Sequence, residues 1–119
     1  MRAKVFFAGL VLSTAMAASA GAAPLDEFVR VCADPGAAPS DVVHFCGKAL
    51  DSGKLPTRAT AQVRVNLGVA LFELGRYPAA IGEYTLAIDT LPELVPAYIN
   101  RARAYEKSGL IRQAVEDYI

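Results

Sequence analysis

The chain has 119 residues with 12 basic and 12 acidic side chains, so its formal charge at neutral pH is zero. No block of like charges occurs, which argues against nucleic acid or anionic lipid as a partner held by bulk electrostatics. A chain of this length holds one small domain.

Residues 1–22 read as a secretory signal peptide. Met1-Arg2-Ala3-Lys4 is a short basic start, Val5 to Leu12 is apolar apart from Gly9, and small residues run from Ser13 to Ala23. Cleavage after Ala20 and after Ala22 both satisfy the small-x-small rule. The apolar core is too short for a membrane anchor, which needs about 20 apolar residues. No cysteine directly follows Ala18 to Ala23, so a lipid-attached start is not expected. The mature chain is then placed in the periplasm or outside the cell. Losing Arg2 and Lys4 leaves ten basic against 12 acidic residues, a formal charge of −2.

Residues 23–56 read as a helical hairpin. Leu25, Phe28, Val29 and Cys32 fit one short helix, and Asp34-Pro35-Gly36 is a turn. Ser40 is expected to cap a second helix with Val42, Val43, Phe45, Cys46, Ala49 and Leu50 on its apolar side, ended by Gly53. Cys32 and Cys46 are the two cysteines. In an exported chain such a pair predicts one disulfide, here between the hairpin's two helices; a pair of buried free thiols is the alternative. His44 is the single histidine. It stands two residues from Cys46, so on a helix the two side chains diverge. That spacing suits neither a zinc site nor a cysteine nucleophile with a histidine base. The carboxylate pairs Asp26-Glu27 and Glu116-Asp117 read as solvated helix surface.

Residues 57–119 carry a repeating grammar. Thr57 is expected to cap a helix running to Leu74, with Val63, Leu67, Ala70, Leu71 and Leu74 on one face. Gly75 stops it and Pro78 suits the first turn of the next. Ile81, Tyr84, Leu86, Ala87 and Ile88 make the apolar side of that helix, and Pro92 closes it. Pro96 then opens a helix lined by Tyr98, Ala102 and Tyr105. Gly109 stops it, and Ile111, Ala114, Val115 and Tyr118 begin another. Asn66 and Asn100, Ala70 and Ala104, Gly75 and Gly109, Ala80 and Ala114, and Tyr84 and Tyr118 each stand 34 residues apart. A period of that length predicts stacked helix-turn-helix units. No strand pattern competes with the helical period, so the expected fold is all-α and antiparallel.

With Ala61 as the first position of a 34-residue unit, the chain resembles the tetratricopeptide repeat family, of the exported bacterial type. Leu67-Gly68 fall at positions seven and eight, Ala80 at twenty, Tyr84 at twenty-four, Ala87 at twenty-seven and Pro92 at thirty-two. In the next unit Tyr98, Ala102, Tyr105, Ala114 and Tyr118 match positions four, eight, eleven, twenty and twenty-four. Residues 61–94 make one complete unit and 95–119 a partial one. Arg64, Leu71 and Arg101 depart from the pattern at positions four, eleven and seven. The resemblance implies a concave groove lined by Gln62, Val65, Asn66, Val69, Phe72 and Glu73, then by Pro96, Ile99, Asn100, Arg103, Glu106 and Lys107. Asn66 and Asn100 match a position that clamps peptide C-termini in some members. The partner-binding residues expected are therefore Asn66, Val69, Asn100 and Arg103. The competing role for the two asparagines is to join neighbouring helices by hydrogen bonds.

The function expected is that of a non-enzymatic module binding a peptide or protein partner of unidentified sequence, with no cofactor, metal or catalytic residue and no stable membrane insertion after signal cleavage. One alternative is a structural segment of a longer exported protein. Another, from a different class, is a small Cys/His metal protein or enzyme. The apolar Val115, Tyr118 and Ile119 lead to the expectation that the chain either continues past Ile119 or completes itself against another chain through its last helix.

Overall fold

The computed structural model describes residues 23–119. The signal-peptide assignment lies outside them. Six helices follow one another: α1 (Ala23–Cys32), α2 (Pro39–Asp51), α3 (Thr57–Glu73), α4 (Tyr77–Thr90), α5 (Val95–Lys107) and α6 (Ile111–Tyr118). No strand occurs among the described residues, so the fold is all-α. Connections of three to six residues turn the chain back each time, the arrangement of antiparallel neighbours. Each helix packs on the one before and the one after, and α1 with α3 and α3 with α5 also touch.

The helix stops are local. Gly53, Gly75 and Gly109 adopt φ of 66°, 77° and 80°, a region only glycine enters without steric cost. At two of them the Schellman pattern closes the end. Arg76 N–H donates to Leu71 O and Leu110 N–H to Tyr105 O, both at 2.8 Å. The expected N-caps are corrected. Ala38 and Pro56 occupy the cap positions of α2 and α3 without a side-chain bond. Ser40 and Thr57 are already helical. Pro39 at the first position of α2 takes over the start, because its fixed φ suits a first turn and its missing N–H would have had no partner there.

Helix α3 is the centre of the core, and it buries more than one face. Ala61, Val63, Val65, Leu67, Gly68, Ala70 and Leu71 are all buried. Val65 is only 8% exposed, whereas Leu74 is 40% exposed. The single-face expectation fails here because α2 and α4 flank α3 on two sides and α1 and α5 also reach it. At the α1–α2 end, the Cys32–Cys46 disulfide joins the two helices, and the Phe28 and Phe45 rings pack with centroids 5.8 Å apart.

Between α5 and α6 the packing is ionic. Arg101 Nε and Nη2 donate to the two Asp117 carboxylate oxygens at 2.7 and 2.8 Å, and Nη1 donates to Thr85 Oγ1 at 3.1 Å. The guanidinium also lies 5.8 Å and 5.7 Å from the Tyr98 and Tyr105 ring centroids. The Asp117 side chain is only 7% exposed, so its reading as solvated surface is overturned. The bidentate pair holds the guanidinium more firmly protonated than usual. Earlier in the chain, between α3 and α4, Arg64 donates to Glu83 at 2.9 Å. Glu83 and Asp117 are 34 residues apart, while their arginines sit one helical turn out of register. On α6, Ile111, Val115 and Tyr118 stay exposed. Nothing within 4 Å of a Cβ at Gly82 explains that glycine.

Candidate functional site

Two adjoining concavities lie along α3. The larger, about 240 Å³, is lined by residues of α3 that include Asn66, Val69, Ala70 and Glu73, by Val42 of α2, and by Cys32 with the turn after α1. The smaller, about 110 Å³, is lined by Val69, Phe72, Glu73, Tyr84, Asn100 and Arg103. Val69 and Glu73 line both, so the two form one trough. The structure thus distributes the expected binding residues over a continuous surface: Asn66 at one end, Val69 in the middle, Asn100 and Arg103 at the other.

The polar groups of the trough are under-used within the chain. Asn66 and Asn100 are half-buried, and neither side chain donates to a protein acceptor among the described residues. Joining neighbouring helices by hydrogen bonds is therefore not their role there. Tyr84 is 1% exposed, and its hydroxyl likewise donates to no protein acceptor among the described residues. Burial pushes its phenol well above the ordinary tyrosine range, Arg103 working against that shift and Glu73 adding to it. A buried hydroxyl without a partner is uncommon and costly. Arg103 is exposed and spreads over the Phe72 ring at 5.3 Å, a cation–π contact, and it takes part in no ion pair among the described residues.

Other expected groove positions fall elsewhere. Val65 is buried in the core, covered by the helices around α3. Glu106 accepts a hydrogen bond from the Tyr118 hydroxyl at 2.8 Å, which ties it to α6. Sequence reasoning missed Tyr84, Asp34 and Pro35 as lining residues. In the sequence Tyr84 reads as packing, because it falls among the apolar residues of its helix. The Asp34-Pro35-Gly36 turn carries a turn signal and nothing that says it walls a cavity over α3.

Cys46 is fully buried in the disulfide while His44 is exposed and packs edge-on against Phe45. Among the described residues no group of three His, Cys, Asp or Glu side chains is placed to hold a metal ion, and no helix is long and apolar enough to cross a membrane. No protein-family model matches this chain, and no curated protein matches its sequence.

Proposed function

We propose that the chain is a short tetratricopeptide-type interaction module, exported by its N-terminal signal, that binds an extended peptide segment along the trough of α3 and α5. The observation that carries the reading is a concavity lined by Val69, Phe72, Asn100 and Arg103, in which the half-buried Asn100 has no side-chain hydrogen bond among the described residues. A peptide backbone supplies what such a surface lacks. Its carbonyls accept from carboxamide N–H groups, and its N–H groups donate to carboxamide oxygens. Val69 and Phe72 provide apolar contact between those polar points, and the exposed guanidinium of Arg103 favours a carboxylate or carbonyl nearby. Binding arrays of stacked helices act through concave surfaces of this kind rather than through reactive groups.

The test is a peptide array probed with wild-type protein and with Asn100→Ala and Arg103→Glu. Both substitutions should weaken binding while leaving the helical circular dichroism unchanged. A wild-type protein that binds no peptide overturns the reading, and so does a variant that keeps full binding. Export is tested separately by fusing residues 1–22 to an alkaline phosphatase lacking its own signal; an inactive fusion removes the exported assignment.

A further inference from the structure

The hairpins α1–α2 and α3–α4 cross at matching points. Gly68 of α3 abuts the Tyr84 ring of α4, and Cys32 of α1 is bonded to Cys46 of α2. Cys46 and Tyr84 are each the eighth residue of their helix. Past the crossing the hairpins differ. Helix α3 runs on for five residues, to Glu73, whereas α1 ends at Cys32 itself. The extension of α3 walls the smaller concavity, where Val69, Phe72 and Glu73 meet Asn100 and Arg103 of α5, with the Phe72 ring against the Arg103 guanidinium. Helix α1 has no such extension. The chain returns instead through the six-residue connection 33–38. The larger concavity, about 240 Å³, opens between that connection, Val42 of α2 and the second half of α3.

We propose that the larger concavity holds one bulky apolar side chain, of phenylalanine or leucine size, from the segment bound along the trough. It fills the place that a longer α1 would fill, as Phe72 does beside α5. The inference rests on the peptide-groove reading and adds a specificity to it. Where α3 offers Phe72 to the next helix, the connection after α1 offers α3 only Ala33, Asp34, Pro35 and Ala37. Cys32, Val42 and Ala70 are buried and make the depth of the space, while Asp34, Pro35 and Glu73 are exposed at its mouth. The Asp34 carboxylate already accepts the Gly36 N–H at 2.8 Å. A charged side chain set on the buried apolar residues would lose its water without a partner there, whereas an apolar one gains by the same burial. The volume suits a single side chain, since pockets for drug-sized ligands begin at roughly 300 Å³. The disulfide holds Cys32 on α2 before any ligand arrives, so little ordering is needed on binding. Val69 lines both concavities, which sets the apolar anchor beside the polar contacts at Asn100 and Arg103, the usual make-up of a binding hot spot.

The experiment uses an array of octapeptides blocked at both ends, varied one position at a time, with hits measured again by fluorescence anisotropy. The expected result is one position that requires Phe, Leu or Met, where Ala or Asp weakens binding about tenfold. Ala33→Phe and Ala37→Phe each place a ring of the protein's own at the lining of the space. Either should remove the requirement and leave the Ala-bearing peptide at its former affinity; the second serves where the first fails to fold. Methyl NMR of the wild-type protein reads the location independently. Ala37 and Val42 line the larger concavity and not the smaller, so their methyl signals should shift with the Phe-bearing peptide and stay with its Ala counterpart. Peptides that bind with no apolar requirement, or with a basic one, overturn the proposal and leave the groove reading standing. An apolar requirement that survives in both variants, or one whose peptide leaves Ala37 and Val42 unmoved, does the same. If no peptide binds, the groove reading and this proposal fall together.

Discussion

The Tyr84 ring occupies the space that a Cβ on Gly68 would need. Such an atom would lie 2.8 Å from Cδ1 and 2.9 Å from Cζ of the ring, closer than carbon atoms pack. Both residues are buried, so the ring cannot give way without repacking its neighbours. Gly68→Ala should therefore destabilise by about 1–3 kcal/mol from overpacking, despite the roughly 1 kcal/mol by which alanine favours a helix over glycine. Urea unfolding of the single variant and of Gly68→Ala/Tyr84→Ala checks this, with the double variant costing less than the sum of the two singles.

The Arg101–Asp117 pair ties α6 to α5. Arg101→Leu alone leaves a nearly buried carboxylate without its cation and should cost about 3 kcal/mol. Adding Asp117→Leu should recover much of that loss, since an apolar pair of similar size suits the same site. Chemical denaturation of the four proteins of this cycle gives the coupling, and a double variant as unstable as Arg101→Leu would contradict the expectation.

Cys32 and Cys46 are 14 residues apart. Replacing both with alanine should cost about 3 kcal/mol through the freed entropy of the unfolded chain. The same variant should bind peptide more weakly, because Cys32 and the turn after it line the larger concavity. Mass spectrometry of oxidised protein should find no free thiol; two free thiols would refute the bond.

Asn66→Ala and Asn100→Ala should leave stability within about 0.5 kcal/mol of wild type, because neither carboxamide donates to another part of the chain among the described residues. Thermal melts check this. A large loss for either would assign it a structural role and remove it from the binding surface.

Tyr84 makes stability depend on pH in the alkaline range. Its phenol keeps its proton in the fold at pH values where an unfolded tyrosine, near pH 10, has released it. Unfolding then releases a proton, so stability is intact below about pH 10 and falls as pH rises above it. The Tyr118 hydroxyl, bound to Glu106, shifts in the same direction. Tyr84→Phe should flatten the decline between about pH 10 and 12; an unchanged slope in that variant would show that the phenol does not titrate as its burial requires.

Much of this molecule was legible in the sequence because it is local. Helix stops at Gly53, Gly75 and Gly109 depend on one residue's access to positive φ, and the small residues Gly68, Ala80, Ala87 and Ala102 are fixed by how closely paired helices approach. The even cysteine count in a chain read as exported gave Cys32 and Cys46 as partners, and the family resemblance put Asn66, Val69, Asn100 and Arg103 forward as groove residues. The tertiary structure decided what depends on neighbours far along the chain. It buried Val65 and exposed Leu74, because several helices crowd α3. It turned Asp117 from surface into an ion-pair partner, because Arg101 lies opposite. It made Asp34 and Tyr84 lining residues of one trough, because side chains from α1's turn, α3, α4 and α5 meet there. Periodicity reports which residues share a face of one helix. Only packing determines what that face meets, and the charge and free hydrogen-bonding groups of the trough come from that meeting.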